Sequence, residues 1–151
     1  MNRLATEYWM PLILWLVVIF IFSTDAFASS ETSRVITPTL QVLFPWLSVQ
    51  QLEFWHAVLR KLGHITEYFV LAVLTYRVLK QKQYKSDLIQ AKLRTLSFAV
   101  FVGTFDELHQ GFTLFRTASP ADIGYDCLGA VTALLLITTY EYRRLRTHSF
   151  L

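Results

Sequence analysis

The chain has 151 residues, 54% of them hydrophobic, with a formal net charge of +3. Its mean hydropathy of +0.39 and the length of its apolar runs exclude an ordinary soluble domain and point to an integral membrane protein. A lone cysteine, Cys127, excludes an internal disulfide framework and reads as a small packed residue.

The first apolar run covers residues 9–22 and extends to 7–28, enough for one crossing. Pro11 stands near its start, where a missing N–H costs little. The triplet Ala26, Phe27, Ala28 also resembles a small-x-small cleavage site after an apolar core. The first seven residues carry one Arg and one Glu, a weak leader, and the run is long for a signal sequence, so a retained span is expected.

Residues 29–53 are mixed. Pro38, Pro45 and many hydroxyl side chains break a long span, while Leu40, Val42, Leu43, Phe44, Trp46 and Leu47 are interspersed. A loop holding a short amphipathic helix on the membrane surface is predicted. From Gln51 to about Lys80 the pattern is helical, with a membrane part at 62–79. The next run, 93–112, is apolar only over 96–105. Ten residues rise about 15 Å, half a membrane, so that helix must continue through the polar residues 106–110. The last span is 123–140, with Ser119 or Asp122 as its cap and Pro120 at its first position. Gly129, Ala130 and Ala133 form a small surface for close helix approach.

The charges orient these spans. Segment 77–94 holds Arg77, Lys80, Lys82, Lys85, Lys92 and Arg94 against Asp87, and the tail holds Arg143, Arg144 and Arg146 against Glu141. The opposite connections balance Arg34, Arg60, Lys61 and Arg116 with acids. The positive-inside rule then places segment 77–94 and the C-terminus in the cytoplasm. The expected architecture is an all-α bundle of four transmembrane helices, one domain, with both termini cytoplasmic. The basic segment is a topology determinant, not a nucleic-acid surface.

Polar residues interrupt three spans at one depth, near the outer leaflet: His64 and Glu67, then residues 106–110, then Asp122 and Asp126. Each charge so placed costs on the order of 2.5–3.5 kcal/mol to insert, so such residues face a bundle interior or a wet cavity. Arg60, His64 and Glu67 lie at i, i+4 and i+7, on one helix face. The bland alternative is snorkelling by Arg60 and Lys61, with His64 and Glu67 bonded to a neighbouring helix. Asp106, Glu107 and Gln110 follow an Asp-Glu-x-x-Gln pattern. Two adjacent carboxylates in low dielectric need cations to stay ionised, and Arg116, Lys61, Arg60, His64 or a metal are candidates. Arg116 has the fork to clamp a carboxylate or an anionic head group. His109 points off the Asp106/Gln110 face and is read as interfacial. No HExxH or paired-cysteine spacing is present, so neither a metal nor a cofactor is expected. Asp126 lies one turn deeper than Asp122 and is harder to read as a cap.

Three functions compete. A binding protein would use Lys61, Arg116, Gln110, Asp122 and Asp126 to hold an anionic ligand. An intramembrane enzyme on a lipid-linked or glycan substrate would use Glu67 or Glu107 as acid or base, with Asp106 and with His64 as proton partner. A small transporter is least favoured, because only Thr75 and Ser97 continue the polar set towards the cytoplasm.

The run from Lys61 to Tyr68 (KLGHITEY), the run from Asp106 to Gln110 (DELHQ), Arg116, Asp122 and Gly129 resemble, in order, spacing and helical context, the VanZ-like family of small bacterial membrane proteins. The resemblance covers about residues 10–140. Asp126 stands where that family often has Asn. The resemblance implies a helical bundle of four or five spans in the bacterial cell membrane. It also implies a link to low-level teicoplanin resistance, with membrane lipids, lipid-linked wall precursors or the glycopeptide itself as partners.

Overall fold

The computed structural model describes residues 5–81, 88–116 and 118–148; Lys82, Lys85 and Asp87 of the basic segment lie outside them. Among these described residues five α-helices follow one another: α1 (Met10–Phe22), α2 (Ser29–Leu43), α3 (Val49–Lys80), α4 (Leu88–Gly111) and α5 (Pro120–His148). A π-helical turn, Ala5–Trp9, precedes α1. Among the described residues there is no strand.

Every residue of α1 is apolar. Leu12 and Ile19 turn inward, while Ile13, Leu14, Val17, Phe20 and Ile21 form an oily outer surface. No single helix covers the span expected over 7–28. The helix ends at Phe22, and the chain turns by 71° into the segment that carries α2. Thr24 is extended (φ −75°, ψ 167°), and its hydroxyl donates back to the Ile21 carbonyl at 2.7 Å, competing with the helical ladder. Asp25 then accepts the backbone N–H groups of Leu114 and Phe115 at 3.3 and 3.0 Å, which ties the break to the α4–α5 connection.

Most of the expected loop after this break is helix. α2 has 15 residues, carries Pro38 inside it and buries none of its side chains. Val35, Val42 and Leu43 stay exposed, as a surface-lying helix requires. α3 begins two residues before the predicted Gln51, because Ser48 and Gln51 form a capping box. The Ser48 hydroxyl accepts from Gln51 N, and Gln51 Oε1 accepts from Ser48 N. α4 runs unbroken through residues 106–110, and α5 starts at Pro120.

The core lies where α3, α4 and α5 meet, with α1 and α2 each laid on α3. The small residues of α5 make this possible. Ala130 and Ala133 are fully buried, and a Cβ on Gly129 would collide with the Ile65 carbonyl of α3. At the end of the bundle away from the polar residues, Glu141 of α5 accepts from Tyr76 (2.7 Å) and Lys80 (2.5 Å) of α3 and pairs with Lys92 of α4 (3.2 Å).

By length and composition α4 and α5 can each cross a membrane, and the bent α1–α2 pair makes a third span if it is taken as one. α3, at 32 residues, would rise about 48 Å and is long enough, but Arg60, Lys61, Glu67 and Arg77 interrupt its apolar run. Among the described residues this gives two or three apolar spans, and α3 is left out of that number by its charges and not by its length.

Candidate functional site

α3 presents Arg60, His64 and Glu67 on one face, and the other elements close around it. His64 sits between two carboxylates one turn apart on α5. Its Nδ1 is 3.0 Å from Asp126 Oδ1, and its Nε2 is 3.9 Å from Asp122 Oδ2. Asp126 is completely buried, and its second oxygen has no hydrogen-bond partner. The space for it comes from α4. A Cβ on Gly103 would stand 2.9 Å from Asp126 Oδ2 and 3.5 Å from the Tyr68 ring. The Tyr68 hydroxyl, equally buried, also lacks a partner.

The adjacent acids of α4 part company, which relieves the repulsion that their sequence position implies. Asp106 is buried and accepts from Gln110 Nε2 at 2.7 Å. Glu107 points to the start of α5, where one oxygen accepts the Ser119 N–H at 2.5 Å and the other is buried without a partner. A carboxylate there meets orphan N–H groups and the positive end of the helix.

Two arginines converge on one backbone oxygen. Arg60 donates to the Phe27 carbonyl at 3.0 Å, and Arg116 donates to the same oxygen at 2.9 Å. The Arg116 Nε is buried with no partner. Paired guanidinium groups repel unless anions face them, and Glu67 and Asp106 do so across a cleft of about 170 Å³. Its walls are Phe22, Ser23 and Phe27 from the α1–α2 break, Thr32, the α3 face, Asp106 and Arg116. The Glu67 carboxylate lines this cleft and forms no hydrogen bond or ion pair with another described residue, whereas its backbone carbonyl accepts from Trp15 Nε1 at 2.9 Å.

Of the residues singled out in the sequence, His64, Glu67, Asp106 and Arg116 line one cleft, and Asp122 and Asp126 stand behind His64. Gln110 supports Asp106 from within its own helix and does not line the cleft. Glu107 does not enter the cleft either. Lys61 is at the rim, 4.0 Å from Asp122 and 4.2 Å above the Tyr125 ring, with 43% of its side chain exposed. It lines a smaller hollow of about 140 Å³ with Arg60, His64 and Asp122. His109 turns to α1, 2.8 Å from the Ser23 hydroxyl, with its ring 4.9 Å from that of Phe20 and tilted by 39°. Among the described residues no group of three or more His, Cys, Asp or Glu side chains is arranged to hold a metal ion.

Sequence reasoning gives no site role to Ser23, Phe27, Tyr68 or Gly103, and it reads Arg60 as an anchor or as a cation for the carboxylates and not as a partner of Arg116. A glycine inside an apolar helical run is the available signal for Gly103. Nothing marks Phe27, since the group used is a backbone carbonyl that every residue has.

Together these features define a helical membrane protein with a charged cleft among its helices. A family model described as VanZ/LLP1 matches residues 8–141, and the chain belongs to that family. No curated protein and no solved structure matches it.

Proposed function

We propose that this protein is a multi-pass protein of the bacterial inner membrane whose cleft binds an anionic head group at the outer leaflet. Through that site it modulates how cell-wall precursors or glycopeptide antibiotics are met there. The observation that carries this reading is the convergence of Arg60 and Arg116 on one wall of the cleft, with an unpartnered Arg116 Nε. Guanidinium forks match phosphate and carboxylate oxygens, and burial strengthens the contact. Four crossings with both ends cytoplasmic agree with Lys80, Lys92 and the arginines of the tail lying at the end away from the cleft. The test is teicoplanin susceptibility of a Gram-positive host carrying the wild type, Glu67→Gln, Asp106→Asn or Arg116→Ala at matched membrane levels. Protection by the wild type and its loss in the variants is the expected result. Absence of any protection by the wild type sinks the resistance part of the reading.

A second reading, an intramembrane enzyme, draws on one observation. Glu67, without a hydrogen-bond partner, shares the cleft with His64, whose ring is held by Asp126. An unpaired carboxylate beside an oriented imidazole is an acid–base arrangement. A catalytic role predicts all-or-none loss of turnover in Glu67→Gln; a binding role predicts graded loss of affinity that is largest in Arg116→Ala.

A further inference from the structure

A second cavity adjoins the charged cleft and differs from it in character. It lies between α1 and α4, holds about 340 Å³, and is walled by Leu16, Ile19 and Phe20 on one side and Phe101, Val102 and Phe105 on the other. α1 packs on α3 and meets α4 through Phe20 and Ser23 at His109, and the groove lies between the two helices beside that contact. Phe20, Phe101 and Phe105 line it and are each more than half exposed. Only one end is polar, where Ser23, Asp106 and His109 close it. Ser23 and Asp106 also line the charged cleft, so the two spaces meet at those side chains.

We infer that the ligand of this protein is a long-chain lipid with a phosphate head group, the phosphate held by Arg60 and Arg116 in the cleft and the chain lying in the α1–α4 groove. This rests on the anion-binding reading and adds the chemical class of the ligand. The donors select the head: Glu67 and Asp106 face the two guanidinium groups across the cleft, and these groups still offer more N–H donors than the Phe27 carbonyl uses. Continuity through Ser23 and Asp106 selects the tail. The break at Ser23 is what creates the junction, since a straight α1 would carry its apolar wall past the cleft. The chain contributes little attraction of its own when it leaves the bilayer, because lipid tails are as apolar as the groove. Its value is positional: it delivers the phosphate at the depth of the arginines.

The test uses the full chain in maltoside micelles, which carry no phosphate. Binding is read from the rise in thermal midpoint with ligand concentration. The probes are hexadecyl phosphate, hexadecanol and inorganic phosphate. Both phosphates are expected to bind and the alcohol is not. Filling the groove with Val102→Phe is expected to weaken hexadecyl phosphate about tenfold and to leave inorganic phosphate within about twofold, which also shows that the variant is folded. Leu16→Phe fills the groove from the opposite wall and serves if Val102→Phe does not fold. Equal hexadecyl phosphate affinity in the wild type and in a filled variant overturns the inference while leaving the anion site standing. Failure of both phosphates to bind the wild type overturns the anion site itself. Binding of hexadecanol as tight as that of hexadecyl phosphate overturns the assignment of the head group.

Discussion

His64 Nδ1 lies 3.0 Å from Asp126 Oδ1, joining α3 to α5 beside the cleft, where Asp126 has no exposure at all. A buried carboxylate of this kind is tolerated through its partner, so removing either one leaves the other stranded. Asp126→Ala is expected to destabilise the protein by about 1–3 kcal/mol, and Asp126→Asn by less, since the amide still accepts from the ring. A double-mutant cycle of Asp126→Ala with His64→Gln, followed by denaturant unfolding in micelles, measures the coupling. Effects that simply add would show that the contact contributes nothing.

The glycines give a sharper structural test. Gly129→Ala would press a methyl group into the Ile65 carbonyl and is expected to cost roughly 1–3 kcal/mol by forcing α3 and α5 apart. Gly124→Ala, one turn and a half earlier on the same helix, meets nothing within 4 Å and should be neutral or slightly stabilising. Gly103→Ala is expected to destabilise the wild type through the Asp126 oxygen and to be better tolerated when Asp126 is alanine. Thermal midpoints that rank the three alanines equally would contradict this packing of α3, α4 and α5.

A pH effect follows from His56, outside the membrane part of α3. Its Nε2 is 3.1 Å from the Thr32 hydroxyl of α2, and burial, followed by the nearby Arg60 charge, holds its pKa below the usual 6.5. Above 6.5 the ring is neutral in both folded and unfolded chains, and the contribution to stability is complete. As pH falls through that value the unfolded chain takes the proton first, and stability is lost. Between about pH 7.5 and about pH 5.5 the thermal midpoint of the wild type should fall further than that of His56→Gln, which stays neutral throughout. Parallel curves for the two proteins would exclude His56 as a source of the pH dependence.

Part of this arrangement is legible in the amino-acid sequence. The ten-residue run 96–105, mostly apolar, is too short to cross a membrane, so the helix has to carry residues 106–110 with it, and α4 does. Pro120 is readable as a helix start, and Gly129, Ala130 and Ala133 as a surface for close approach. The break at Ser23 is not readable. An apolar run followed by a few hydroxyl residues looks like one span, and the break is held by Asp25 bonding to N–H groups 89 and 90 residues away. The parting of Asp106 from Glu107 is hidden for a similar reason, since the partner of Glu107 is a backbone N–H at the start of another helix.

Residue type and helical spacing alone set which groups stand at the depth of the cleft, because a charge in an apolar run can only be read as avoiding lipid. Which acid meets which cation was decided by rotation of the helices about their axes. In helices that are oily on nearly every side the hydrophobic pattern does not choose that rotation. Packing chooses it: Gly129 against the Ile65 carbonyl, and Gly103 beneath Asp126, turn α5 and α4 so that His64 meets Asp126 while Arg60 and Arg116 meet at Phe27.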